Sequence, residues 1–360
     1  MTTTQTSDSP DFRKSEPPER RGARFGAHRV VLPPGALPQP ADRLDAGFEE
    51  VWDNEIVVEV ETLNIDAASF RQMEEAGDVI DLVRKTVAAR GKQHNPVTGS
   101  GGMLLGTVSR VGSAVSPARR PSVGDRVATL ASLTLTPLRI DEFLAVRPAS
   151  AQIDVRGKAV IADGAPFAKL PSDLPERLAL AVLDVAGAPI QIARRAREGQ
   201  SVLVLGAGGK SGILCAAEAR RGVGASGRVI GLEAHAPFAE DLRALGICDE
   251  VLSLDARDAL AVYRAVIAAN GGNEVDLAVS CVNVEGAELA TLLPVRDGGC
   301  AYYFSMTTSF TRAALGAEGV GKDVELVIGN GYALGHAEHA LALVREDTGI
   351  RDLFARRYAR

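Results

Sequence analysis

The chain has little of what metal, membrane and nucleic-acid proteins depend on. It carries four cysteines in 360 residues, none before Cys215, and no two stand at the two-to-four-residue spacing of a metal knuckle. A zinc ribbon is excluded. Cys215, Cys248, Cys281 and Cys300 lie in apolar contexts such as ILCA and AVSCV, where a free thiol packs as a small hydrophobe. Of five histidines, His336 and His339 share a helical face, a spacing too common in helices to signal a metal. No run of about 18 apolar residues occurs, and the N-terminus is polar where a signal peptide needs an apolar core. Neither membrane insertion nor secretion is expected, and the cytoplasm is the default location. Lys and Arg total 40 against 46 Asp and Glu, a net charge of −6, so the positive field of a nucleic-acid binder is missing.

What is present is enough apolar residue, 46% against 24% charged, to fold, and a length that exceeds one ordinary domain. Residues 1–22 are rich in Ser, Thr, Pro and charge and read as a disordered tail. Prolines keep the stretch 25–40 out of helix and suggest an extended arm. Short strands at 56–63, 103–111, 126–131 and 140–146, with helices at 67–75 and 78–90, suggest a small β-barrel. An apolar helix at 178–193, interrupted near Gly187 and Pro189, leads to a different rhythm. Strands at 201–205, 228–232, 250–254, 275–282, 299–304 and 324–328 alternate with helices, the order of a doubly wound α/β sheet. The expected architecture is a barrel domain over 23–188, completed by helices of 331–360, and a Rossmann dinucleotide-binding domain over 189–330.

The first strand of the second region runs into a glycine loop, SVLVLGAGGKSG (201–212), which opens a helix at 213–221. Gly206, Gly208, Gly209 and Gly212 would make the turn, admit a pyrophosphate to the backbone and let the helix pack on the strand. Lys210 and Ser211 join this cofactor-binding set. A Walker A loop is rejected because Val204 stands where its first glycine would be. Glu233 ends the second strand, 21 residues beyond Gly212, where an acidic side chain meets the adenosine ribose. It points to NAD, with NADP still allowed by Arg220, Arg221 or His235. Asn283, Ser305 and Met306 follow later strands and should line the same cleft.

A barrel before a dinucleotide fold, with the turn VGDRV (123–127) and the loop 206–212, resembles the medium-chain dehydrogenase/reductase superfamily, whose barrel is GroES-like. The positions where zinc members keep their catalytic ligands read Asn64-Ile65-Asp66, Thr98-Gly99-Ser100-Gly101 and Asp184-Val185-Ala186-Gly187, so zinc-free chemistry is expected. Longer strings are more specific: GAHR (26–29), LPQPA (37–41), LNID (63–66), NPVTGSGGM (95–103), LTPLRID (135–141), LDVAGAP (183–189) and ALGAEGVGKD (314–323). Together they resemble the family of L-erythro-3,5-diaminohexanoate dehydrogenases of lysine degradation by fermentation. That resemblance implies NAD(P)-dependent oxidative deamination of the diamino acid to (S)-5-amino-3-oxohexanoate and ammonia.

Such a reaction calls for groups that hold two ammoniums and a carboxylate and remove a proton. Asp66, at the corner where the superfamily places a reactive group, is a candidate ammonium anchor or base, or else a helix cap. Asp184 lies in an apolar run, where burial should raise its pKa towards the range useful for a base unless a cation balances it. Thr98 and Ser100 replace the metal-ligand region and are candidates to hydrogen-bond amine or water, or simply to brace their loop. Arg139 and Arg29 are candidates for the substrate carboxylate, and His28 for a proton shuttle. A zinc-free quinone or enone reductase is the alternative within the superfamily, and a nucleotide-binding regulator the alternative outside enzymes. A homo-oligomer is expected.

Overall fold

Residues 20–96, 99–329 and 331–359 are described by the computed structural model; the tail before Arg20, and Thr98, lie outside the described residues. The tail ends earlier than its composition suggests. The backbone N–H of Arg20 donates to Asp53 at 2.6 Å, and Gly22 exchanges hydrogen bonds with the Asn54 side chain at 2.8 and 2.9 Å. After one 3-10 turn, Ala27–Arg29, the arm forms a two-stranded antiparallel sheet from Val30–Leu32 (β1) and Arg43–Leu44 (β2).

Glu55–Asn64 (β3), Met103–Val111 (β4), Arg126–Thr129 (β5), Leu138–Arg147 (β6), Gln152–Ala162 (β7) and Phe167–Lys169 (β8) form an antiparallel sheet in the order β6-β7-β3-β4-β5-β8. Between β3 and β4 the chain leaves as Ala67–Ala76 (α1) and Val79–Arg90 (α2), capped by Asp66 and Asp78, which accept from the N–H groups of Ser69 and Asp81. Val58, Val60 and Leu63 of β3 pack with Leu104, Val108, Ile153, Val155 and the α2 residues Val83 and Val87. Each such aliphatic contributes about 1.5–3 kcal/mol. Like the short strands β1, β2 and β8, strand β7, central beside β3, was missed by the sequence reading. Its Gly157 looks like a break, but a Cβ there would lie 2.2 Å from the Arg139 carbonyl, so the glycine is what lets β6 approach.

Glu176–Leu183 (α3) and Gly187–Ala193 (α4) follow. The helical break falls at 184–186, and Pro189 sits in the first turn of α4, where its missing N–H costs nothing. Then come Ser201–Leu205 (β9), Lys210–Val223 (α5), Arg228–Leu232 (β10), Ala236–Leu245 (α6), Glu250–Leu252 (β11), Ala259–Ala269 (α7), Val275–Ser280 (β12), Glu288–Leu292 (α8), Val295–Tyr303 (β13), Phe310–Val320 (α9) and Glu325–Ile328 (β14). The six strands are parallel, in the order β11-β10-β9-β12-β13-β14, so the chain reverses direction across the sheet between β9 and β12. That switch point opens a crevice at the carboxyl ends of the strands. Among the described residues no helix is long and apolar enough to cross a membrane.

His336–Glu346 (α10) and Thr348–Tyr358 (α11) close the chain. They pack on α3, α4, α5 and α6, where Leu341, Val344, Leu353 and Phe354 join the core of that helical layer. The same core takes in Met103 and Leu105 of the first sheet and Val202 and Val204 of β9, so it runs unbroken from one unit to the other.

The N-terminal arm is anchored by charge. Arg29 donates to both oxygens of Glu55, at 2.7 and 2.6 Å, and to the carbonyls of Gly47 and Glu50, with both side chains buried. Burial alone would raise the Glu55 carboxyl, but hydrogen bonds from Arg29, His28 and the Trp52 N–H hold its pKa at about 2, below the usual 4.5. Its contribution to stability is therefore complete above pH 4.5 and lost as the pH falls towards 2. Glu55→Ala, which strands the guanidinium, should cost about 3–5 kcal/mol in urea unfolding at pH 7. Glu55→Gln should lack this part of the acid-side loss of stability; an acid profile identical to that of the unaltered chain would refute the assignment.

Candidate active site at the junction of the two units

Lys210 occupies the first position of α5, with Gly209 as its N-cap. A cation at a helix N-terminus opposes the helix dipole and needs compensation. It comes from Asp184, at the end of α3, whose Oδ2 accepts from Lys210 Nζ at 2.5 Å. Burial alone would lower the Lys210 ammonium, but Asp184, then the neighbouring Tyr358 and Asp66, outweigh it and hold the pKa above its usual 10.5. Lys210 is thus charged at neutral pH. In this geometry the Lys210 side chain serves the Asp184 pair.

The other oxygen of Asp184 receives a long contact, 3.5 Å, from the Asn64 amide at the end of β3. Gln152, at the start of β7, donates to Asn64 at 3.1 Å, and Ser150 donates to Gln152 at 3.3 Å. A polar chain thus runs from the first sheet through Asp184 to the glycine-loop helix. Asp66 lies beside it. One oxygen caps α1 at 2.8 Å from the Ser69 N–H, while Oδ2 is buried without a hydrogen-bond partner among the described residues. Asp66 therefore caps α1 through one oxygen and leaves the other unengaged among the described residues. The ring of Tyr358, from α11, lies 5.6 Å from Lys210 Nζ. Asn64, Gln152 and Tyr358 were not singled out from the sequence. The signals of the Lys210–Asp184 pair open to a sequence reading were a lysine at a glycine-loop helix start and an acid in an apolar run.

The loop that carries Ser100 packs on this corner. Gly102, at φ +74, comes so close to Asn64 that a Cβ would lie 2.4 Å from its carbonyl. Ser100 accepts from the Gly102 N–H at 3.3 Å, and Asn95 ties the loop to Gln72 of α1 at 3.0 Å, so Ser100 braces the loop.

Three other candidates are placed elsewhere. Arg29 and His28 engage Glu55 at the far end of β3 from Asn64, about 30 Å along a ten-residue strand. Arg139 pairs with Asp141 at 2.9 Å on the outer strand β6, 43% exposed, its guanidinium over the Phe48 ring. These residues anchor the arm and solvate a sheet edge. A cavity of about 670 Å³ beside β3, β7 and α3 touches Gln152, but charged side chains that line it already have ion-pair partners, as in Arg147–Asp154 within it and Glu61–Arg126 at its side.

The glycine loop fits a dinucleotide. Gly206 has φ +71, which an L side chain rarely adopts, and a Cβ there would meet Val282 and Cys281 at 3.0–3.1 Å. At Gly212 a Cβ would lie 2.0 Å from the Gly206 carbonyl, so only glycine lets α5 sit so close to the turn. Around Gly209 the nearest atom to a Cβ is 3.5 Å away, leaving an open face at the helix start, beside Ser211. Glu233 accepts from the N–H groups of Gly208 at 3.1 Å and His235 at 2.9 Å. Ser305 donates to Asn283 at 3.2 Å beyond the ends of β12 and β13, with Met306 79% exposed next to them. Among the described residues no three His, Cys, Asp or Glu side chains gather as a metal-ligand set.

Residues 28–171 match the L-erythro-3,5-diaminohexanoate dehydrogenase N-terminal domain. The chain is 48% identical over 343 residues to the L-erythro-3,5-diaminohexanoate dehydrogenase of Acetoanaerobium sticklandii, covering 94% of this chain and 99% of that one. It is 47% identical over 340 residues to the enzyme of the same name from Fusobacterium nucleatum, covering 93% and 98%. In fold it is similar to an alcohol dehydrogenase of Thermotoga maritima, with a TM-score of 0.56 at 14% identity over 86% of each chain. It is also similar to AibC, with a TM-score of 0.55 at 19% identity over 83% of this chain and 79% of that one. With close to half its residues identical over nearly its whole length, the chain belongs to the L-erythro-3,5-diaminohexanoate dehydrogenase family.

Proposed function

We propose that this protein is a nicotinamide-dependent dehydrogenase acting in the cytoplasm, which oxidatively deaminates L-erythro-3,5-diaminohexanoate to (S)-5-amino-3-oxohexanoate and ammonia. One observation carries the reading. Two carboxylates, Asp66 and Asp184, surround one ammonium, Lys210, beside the glycine loop, the inverse of a substrate with two ammoniums and one carboxylate. A quinone or enone reductase would gain nothing from that charge set. When bound at the loop, a nicotinamide supplies the hydride acceptor.

The chain's own residues divide the remaining work. Asp66 keeps an oxygen without a hydrogen-bond partner among the described residues, so it is the better acceptor for the proton of the C3 ammonium. Asp184 is held by Lys210 and oriented through Asn64 and Gln152, which suits it to anchor the second ammonium. Lys210 has donors left for the substrate carboxylate. NAD is the proposed partner, since the Glu233 carboxylate at the end of β10 would repel a 2′-phosphate. A fold neighbour complexed with NADPH keeps that cofactor as the comparison to run. Asn283, Ser305, Met306 and Ser211 are proposed to line the same cleft. The free edge of β14, with Ile328 exposed, is proposed to join two copies of the chain.

Absorbance of the reduced cofactor should rise when the protein meets NAD and the diamine, more slowly with NADP, and not with lysine or simple alcohols. A chelator should leave the rate unchanged, and no turnover with either cofactor would reject the reading. Asp66→Asn, which preserves the helix cap, should lower kcat about 10²- to 10⁴-fold. Asp184→Asn should instead raise the KM for the diamine about tenfold or more. A sedimentation mass equal to the 37.7 kDa monomer would reject the oligomer.

A further inference from the structure

The last turn of α11 reaches the glycine loop. Arg357, only 10% exposed, donates from Nη1 to the carbonyl of Gly208 at 2.7 Å. Its guanidinium lies 4.0 Å over the Phe238 ring and is held by Asp241 of α6, through Nε at 2.9 Å and through Nη2. Arg356 also donates to Asp241, at 2.8 Å. Burial alone would raise the Asp241 carboxyl, but the two arginines hold it below its usual range. The arginine is thus aimed by a ring and a carboxylate on the helix that follows β10.

What it aims at is a peptide with little stiffness of its own. The bond between Gly208 and Gly209 has glycine on both sides, so its plane can rotate at small steric cost. In a trans peptide the C=O and the next N–H point in opposite directions. Arg357 holds the carbonyl, and the Gly206 carbonyl accepts from the Gly209 N–H at 3.1 Å, so both ends of the plane are fixed. Glu233 holds the Gly208 N–H on the preceding plane. Gly209 then stands as the N-cap of α5, where the helix presents backbone N–H groups without intrahelical partners, the groups that meet an anion.

We propose that Arg357 is a positioning residue for the dinucleotide, which holds the Gly208–Gly209 peptide in the orientation that leaves the start of α5 open to a pyrophosphate. This rests on the reading that a nicotinamide dinucleotide binds at the glycine loop. The C-terminal helix is in this view part of cofactor binding, with Arg357 on the loop and its neighbour Tyr358 beside Lys210.

The test is calorimetric titration of the full-length protein with NAD alone, which needs no turnover, together with steady-state kinetics and thermal melting. Arg357→Met should weaken NAD binding about 10- to 100-fold, the scale of a charged hydrogen bond, and raise the KM for NAD alike. The KM for the diamine should change little. Arg357→Lys keeps a cation beside Asp241 but cannot span to Gly208 with the same fork, so it should keep the melting temperature and still lose affinity. Arg345→Met, which removes an ion pair to Asp173 from α10, controls for loosening of the terminal helices. Unchanged NAD affinity in both Arg357 variants would overturn the proposal. So would an affinity loss in Arg345→Met equal to that in Arg357→Met. If the unaltered protein binds neither NAD nor NADP, the dinucleotide reading itself fails, an outcome distinct from a failure of Arg357 alone.

Discussion

The ion pair between Lys210 and Asp184 is where the two units of this protein become one site. Lys210 begins the helix that the glycine loop opens, and Asp184 ends a helix that packs on the first sheet. A lysine at the positive end of a helix is unfavourable alone, and a carboxylate in an apolar run is unfavourable alone. Each removes the other's penalty, so the pair has one low-energy arrangement, and that arrangement holds the glycine loop against the corner at Asn64–Asp66. The continuous core beneath it, from Met103 and Leu105 to Val202 and Val204, gives the pair a rigid floor.

Charge is used for two separate purposes along one strand. At the start of β3, Glu55 is buried with Arg29 and bonded at both oxygens, which leaves nothing for a ligand. At its other end, Asn64 and Asp66 stand in a cluster whose bonds are incomplete: a contact at 3.5 Å, and a carboxylate oxygen with no partner among the described residues. An orphaned buried carboxylate oxygen calls for a partner, and under the proposed function a substrate ammonium supplies it at Asp66.

The loop glycines divide along similar lines. Gly206 turns, Gly212 packs, and Gly208 and Gly209 form a peptide that neighbours must hold. The neighbours are Glu233 from the end of the second strand, which holds the plane before Gly208, and Arg357 from the last helix, which holds the plane after it, so residues nearly 150 apart in the chain meet at one glycine.

Much of this was legible in the sequence, for local reasons. The glycine loop between an apolar strand and a helix, the six strands of the second sheet, and the capping role open to Asp66 are short-range patterns, and short-range patterns survive without knowledge of the fold. Asp184 stood out because burial of an acid in an apolar run suits it to act as a base unless a cation balances it. Which cation it was depends on the packing that brings the end of α3 to the start of α5. Strand β7 was hidden because Gly157 reads as a break until the neighbouring strand is seen to press on it. Arg29, His28 and Arg139 had the right chemistry for a substrate carboxylate, and only their places at the far end of β3 and on an edge strand removed them. The order of elements and the inventory of reactive groups were therefore determined by the sequence itself. Which of those groups meet, and which are already spent on one another, was decided by tertiary packing, because hydrogen bonds and ion pairs reach about 3 Å while their partners lie tens or hundreds of residues apart.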